Sequence, residues 1–172
     1  MNREYKIMSA LADSDVPVPT CLAACNDLDV NEAPFYVMEF VDGTILRKAA
    51  EAEQFTAEEA EVATDSLIDV QIAFHTIDLE AVGLADLGKH GDYVGRQLKR
   101  WKQQVERDDV RPVPLLHELH SLLTERQPAE VAPQGLAHGD YRFDNCVLGA
   151  DHRVAAVLDW ELCTIGDPLA DF

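Results

Sequence analysis

His138-Gly139-Asp140-Tyr141-Arg142-Phe143-Asp144-Asn145 runs into Cys146-Val147-Leu148, the turn Gly149-Ala150-Asp151, and then Val154-Ala155-Ala156-Val157-Leu158-Asp159-Trp160-Glu161. Cys146–Leu148 and Val154–Leu158 are short apolar runs flanking a turn, which predicts an antiparallel hairpin. Asn145 begins its first strand and Asp159 ends its second. The two ends of such a hairpin lie side by side, so residues distant in sequence become neighbours. Asp140, in the loop just before the hairpin, can reach the same place.

This trio suits phosphoryl transfer. That chemistry asks little covalent help of a protein: the acceptor hydroxyl must be held in line, and charge on the phosphates must be neutralised. Asp140 is the candidate base for the hydroxyl proton. Asn145 and Asp159 offer the hard oxygen ligands that Mg²⁺ takes. From residue frequencies alone, H-G-D-x4-N arises in roughly five of ten thousand chains of this length. The downstream Asp-Trp-Glu makes coincidence rarer still.

With 172 residues the chain suits one domain, able to bury roughly 70% of its unfolded surface. Lys and Arg number 14 against 32 Asp and Glu, a formal charge of −18. Such a surface repels nucleic acid and anionic membrane, so neither is an expected partner. The first thirty residues hold no leader-like apolar run, and no segment approaches the ~20 apolar residues of a membrane span. Cys21 and Cys25 form a lone C-x3-C without a second ligand pair. With Cys146 and Cys163 they read as free thiols in a reducing cytoplasm, the expected location.

Elsewhere, Tyr5, Met8 and Leu11 at helical spacing predict a helix over 3–12. Val16-Pro17-Val18-Pro19 is extended, because each proline also restricts its predecessor. Leu22–Cys25 reads as a strand, 26–32 as a turn, and Phe35–Val41 as the clearest strand, closed by Asp42-Gly43. Thr56 with Glu59 is a capping box, followed by an apolar face of Ala60, Ala63, Leu67, Val70 and Phe74. A second helix over 92–107 turns Val94, Leu98, Trp101 and Val105 inward. A third follows Pro112-Val113-Pro114 with Leu115, Leu119, Leu122 and Leu123, and 128–133 is loop. Gly135–Ala137 is a short β segment. A strand-rich start, helical middle and closing hairpin make an α+β plan.

These pieces together resemble the aminoglycoside phosphotransferase (choline-kinase-like, protein-kinase-like) superfamily, and most of all the phosphotransferase domains related to those fused to some acyl-CoA dehydrogenases. Besides His138–Asn145, the resemblance is carried by Arg3-Glu4-Tyr5, Val16–Pro19, Phe35–Gly43, Gly83-Leu84, Arg96-Gln97 with Arg100-Trp101, Val157–Glu161 and Gly166-Asp167-Pro168-Leu169-Ala170-Asp171. It implies a protein-kinase-like fold: the remnant of a small β lobe with its hinge over 1–42, and a mainly helical large lobe with a catalytic β-hairpin over 43–172. It implies Asp140 as base, Asn145 and Asp159 as magnesium ligands, and ATP as co-substrate. Met38, Glu39, Phe40 and Val41 become the strand and hinge against which adenine lies, with backbone groups of Glu39 and Val41 as its hydrogen-bond partners. His138 and Asp171 become structural supports of the site, and His75 a structural histidine.

The family's phosphate-covering loop and phosphate-binding Lys have no counterpart before Glu4, and the chain stops where further helices would follow. The expectation is a fragment that binds Mg-ATP weakly and turns over negligibly by itself. For the acceptor, residues 89–107 carry six cations against Asp92 and Glu106, a local charge of +4. Arg96, Arg100 and Lys102 are therefore candidate contacts to an anionic acceptor such as a hydroxyacyl-CoA, ahead of an aminoglycoside or choline-type acceptor. A non-catalytic nucleotide-binding module, or a metal-dependent hydrolase using His138 and Asp140 as ligands, stay open as alternatives.

Overall fold

The computed structural model describes residues 1–107, 114–129 and 134–172. Pro112-Val113 and residues 130–133 of the expected loop lie outside these. Among the described residues no helix is long and apolar enough to cross a membrane.

Helix α1 (Asn2–Leu11) buries Ile7, Met8 and Leu11 along one face. Arg3 fastens it to the rest of the molecule, its guanidinium donating to the carbonyls of Cys163 and Leu87. The extended Pro17 segment then crosses to the hairpin, where the Pro17 carbonyl accepts the Val157 N–H. β1 (Cys21–Cys25) and β2 (Phe35–Met38) form an antiparallel pair. The turn expected between them contains a one-turn helix, α2 (Leu28–Asn31), because Asp27 accepts the Asp29 N–H and so caps it. β2 ends at Met38, three residues earlier than the apolar run suggests. Beyond it the partner strand has ended, and Glu39 donates its N–H to Thr20 instead.

After the short α3 (Ala49–Ala52), α4 (Ala57–His75) begins at the Thr56–Glu59 capping box, with Thr56 Oγ1 accepting the Glu59 N–H and Glu59 accepting that of Thr56. Its inner face is Ala63, Ser66, Val70, Gln71 and Phe74, while Ala60 is exposed. Ser66 Oγ accepts the N–H of Val154, tying the helix to the hairpin. That hairpin is β4 (Cys146–Leu148) with β5 (Val154–Val157). The chain at Thr44 bridges to Leu148, so closely that a Cβ on Gly43 would collide with the Leu148 carbonyl oxygen. β3 (Gly135–Ala137) pairs with β6 (Thr164–Gly166), enclosing the hairpin in sequence.

The core joins α1, α4 and the hairpin around Phe74 and Trp160, whose rings meet edge to face at 5.7 Å. Trp160 donates its indole N–H to Val157, so this large ring is buried with its polar atom satisfied. One expectation is corrected. α5 (Tyr93–Arg107) and α6 (Pro114–Glu125) exist, but neither buries a residue, and Trp101 is 60% exposed. The apolar spacing marks the seam where the two helices meet. It does not mark a face sealed inside a core.

Candidate active site

The hairpin sets the geometry. Leu158 donates its N–H to the Asn145 carbonyl at 2.8 Å, which brings Asn145 and the neighbouring Asp159 together at the open end. A 3₁₀ turn, Phe143–Asn145, leads into β4, and a second, Trp160–Leu162, leaves β5. Asp159 takes a left-handed conformation, with φ 62° and ψ 57°. This is uncommon for a residue with a side chain, and it turns the chain sharply so that the carboxylate stays exposed while Trp160 enters the core.

Asp140 sits in the loop before. Asn145 Nδ2 donates both to the Asp140 carbonyl at 2.8 Å and to its Oδ2 at 3.0 Å. This clasp spends the amide nitrogen on Asp140 and leaves the amide oxygen as an available ligand. Arg142 approaches the other Asp140 oxygen at 3.6 Å and also pairs with Asp144. The Asp140 side chain remains 41% exposed, so a hydroxyl can reach it.

Behind the loop, His138 is fully buried. Its Nδ1 accepts the Asp140 N–H at 3.3 Å, so the proton resides on Nε2, which donates to the Leu158 carbonyl at 3.0 Å. Burial lowers its pKa, outweighing that carbonyl and the surrounding carboxylates of Asp171, Asp159 and Asp140. His138 thus joins the base-bearing loop to the residue before Asp159, and both ring nitrogens are in use. Asp171, at the far end of the sequence, accepts the N–H groups of His138 and Gly139 and faces His75 Nε2 at 2.9 Å. His75 is thereby committed to a buried carboxylate. Asp167 accepts the Leu169 N–H, capping the last 3₁₀ turn.

Of the remaining candidates, Met38 ends β2, and the exposed Glu39 and Phe40 and the half-buried Val41 follow as a connector leading to Thr44. Behind this connector, burial and then the adjacent Glu4 carboxylate raise the Tyr36 phenol, which Asp159 also influences. Of the α5 candidates, Arg96 and Lys102 already have partners, and Arg100 lines a cleft with Arg107, Gln103 and Gln104. Arg96 lies over the Tyr93 ring and reaches the Ile165 carbonyl, whereas Lys102 pairs with Glu106. Arg100 and Lys102 are about 200° apart around the helix. Sequence reasoning missed Arg47, Lys48 and Arg142 as a group, because only the fold brings the first two to the cleft beside Arg142.

Asn145 and Asp159 fit a magnesium ion by chemistry: one amide oxygen and one carboxylate, hard donors for an ion that keeps waters and substrate phosphates as its other ligands. Among the described residues no group of three or more His, Cys, Asp or Glu could hold a metal by itself.

The family model described as "Phosphotransferase enzyme family" matches residues 1–172. The chain belongs to that family. It is 37% identical over 172 residues to mouse (Mus musculus) acyl-CoA dehydrogenase family member 10, covering 99% of this chain and 16% of that protein. It is 38% identical to acyl-CoA dehydrogenase family member 11 of Gallus gallus, covering 99% of this chain and 22% of the relative. The chain therefore spans about a fifth of these curated relatives or less. Among solved structures, a candidate aminoglycoside phosphotransferase from Ralstonia eutropha superposes with TM-score 0.89 at 41% identity, over 99% of this chain and 52% of that one. The streptomycin–ATP ternary complex of APH(2″)-IIa aligns with TM-score 0.72 at 16% identity, over 99% of this chain and 57% of that one. At that identity it speaks for the fold alone. The fold is that of the aminoglycoside phosphotransferases, protein-kinase-like in plan.

Proposed function

We propose that this family member is part of an ATP- and Mg²⁺-dependent small-molecule kinase that phosphorylates a hydroxyl group of a metabolite. The carrying observation is the clasp between Asp140 and Asn145 beside Asp159 at the open end of the hairpin. In this reading Asp140 accepts the acceptor's hydroxyl proton. Asn145 fixes the Asp140 carboxylate through its amide nitrogen and, with Asp159, holds the metal ion through oxygen. Bound magnesium neutralises charge on the phosphates as the phosphoryl group moves. Arg142 stands close enough to help balance the two loop carboxylates.

Residues 1–42 would be the part of the small lobe that includes the hinge, and 43–172 the large lobe. Adenine would lie against Met38–Val41. The Glu39 N–H is already given to Thr20, so its carbonyl and the Val41 N–H are the groups left to read the base. The neighbour crystallised with streptomycin and ATP supports nucleotide binding in this fold. The acyl-CoA dehydrogenase relatives support an acyl-CoA carrying a hydroxyl as acceptor class. The hydrolase alternative needs His138 as a metal ligand, and both its nitrogens are engaged inside the core.

The test is ATP turnover by the full-length protein with hydroxylated acceptors. Asp140→Asn should lower kcat by at least a hundredfold with little change in ATP affinity. Asp159→Ala should weaken Mg-dependent ATP binding. Unchanged turnover in Asp140→Asn would sink this reading.

A further inference from the structure

We propose that the cleft between Arg47-Lys48 and Arg142 is the acceptor pocket, and that it takes a hydroxylated acceptor carrying an anionic group on an apolar body. The proposal rests on the phosphotransferase reading above and assigns its substrate class.

Position comes first. The cleft encloses about 490 Å³ between the segment after the hinge, the start of α4 and the turn Arg142–Asp144. That volume lies within the roughly 300–1,000 Å³ of small-molecule sites. Its wall includes the turn that leads from Asp140 to Asn145, and Arg142 Nε stands 3.6 Å from Asp140 Oδ1. A ligand in the cleft therefore approaches the proposed base past Arg142.

Charge comes second. The wall holds three cations, Arg47, Lys48 and Arg142, against one carboxylate, Asp144, which already pairs with Arg142. In a chain with more than twice as many acids as bases, adjacent cations should find partners easily. Yet among the described residues neither Arg47 nor Lys48 forms a salt bridge. They are held in place nonetheless: Glu51 accepts the backbone N–H of both, fixing their stretch of chain. The floor is apolar, with Leu46, Phe55, Ala63 and Phe143. Phe55 is steadied by the His152 ring at 4.9 Å. Paired cations over an apolar floor select a ligand with one anionic end, because it gains a charge-assisted contact that a neutral or cationic one lacks.

The α5 cations are placed differently: Arg96 and Lys102 already have partners, and the cleft that Arg100 and Arg107 line with Gln103 and Gln104 includes no residue of the loop that carries Asp140.

The probes are 12-hydroxydodecanoate and 1,12-dodecanediol, equal in length and differing at one terminus, titrated calorimetrically into the full-length protein with Mg-ATP analogue present. The carboxylate should bind at least tenfold more tightly than the diol. In the double variant Arg47→Gln/Lys48→Gln that preference should fall below threefold, with ATP affinity and Tm unchanged. The single variant Ala60→Phe, on the exposed face lining the cleft, should weaken both probes alike. No preference in the native protein, preference kept in the double variant, or lost ATP affinity in that variant would each overturn the pocket assignment. The phosphotransferase reading fails separately, through persistent turnover in Asp140→Asn.

Discussion

Asp171 Oδ1 accepts the Gly139 N–H at 2.6 Å, joining the last turn of the chain to the loop that carries Asp140. Its Oδ2 accepts the His138 N–H at 2.8 Å and faces His75 Nε2. The side chain is wholly buried. Burial alone would push this carboxyl up, but hydrogen bonds from His75, Gly139 and His138 hold it below the ordinary carboxylate value. The loop therefore takes its shape from a charge lodged behind it.

Asp171→Ala leaves the buried His138 N–H unpaired and should cost about 2–4 kcal/mol, read as a lower Tm together with reduced kcat. Asp171→Asn retains one acceptor and should fall between. A depressed carboxylate contributes stability that is present above its unfolded value, about 4. That stability is lost as pH falls through the lower folded value. Urea midpoints below about pH 4 should therefore decline less steeply in Asp171→Asn than in the native protein.

His138 predicts a different window. Burial lowers its pKa, so on acidification the unfolded chain takes up this proton before the folded one does. Stability is full above the unfolded value of about 6.5 and declines as pH falls from there toward the folded value. Replacing His138 by Gln removes the titration, and should flatten the dependence of the urea midpoint between about pH 7 and 5. An unchanged slope would mean that the histidine is not held neutral.

Thiol reactivity should divide the four cysteines into two pairs. Burial pushes the thiols of Cys146 and Cys163 up to about 12, and both are enclosed, whereas Cys21 and Cys25 are partly exposed. A thiolate is the reactive species. A disulfide reagent at pH 8 should modify Cys21 and Cys25 in the native protein, and Cys146 and Cys163 only after denaturation, as counted by intact mass.

Much of this was legible in the chain because local rules and global fold agree there. Thr56 and Glu59 cap α4 in any context, and the turn at 149–151 can hardly avoid making a hairpin. The same hairpin carried Asn145 and Asp159 to one place, so the proximity of these two candidate positions followed from pairing alone. Where the reading failed, the missing information was tertiary. The spacing of Leu98, Trp101 and Val105 shows that a face meets something apolar, but not that this is the apolar side of α6. The resemblance made Asp171 a support of the site; its three partners are set by packing. Arg47 and Arg142 lie 95 positions apart, and no local pattern announces that they share a cleft.

Gly139 permits a final test of how tightly the loop is drawn. Its φ of +87° lies where a side chain is strained, and a Cβ there would stand 3.0 Å from that of Leu162. Gly139→Ala should therefore cost about 1–2 kcal/mol of stability. It should also lower kcat well beyond its effect on ATP affinity, because the displaced atoms adjoin Asp140. Adding Leu162→Gly removes the contacted Cβ but not the backbone strain, so the double variant should recover only part of both losses. Full recovery would show that crowding, rather than the left-handed turn, fixes the residue as glycine.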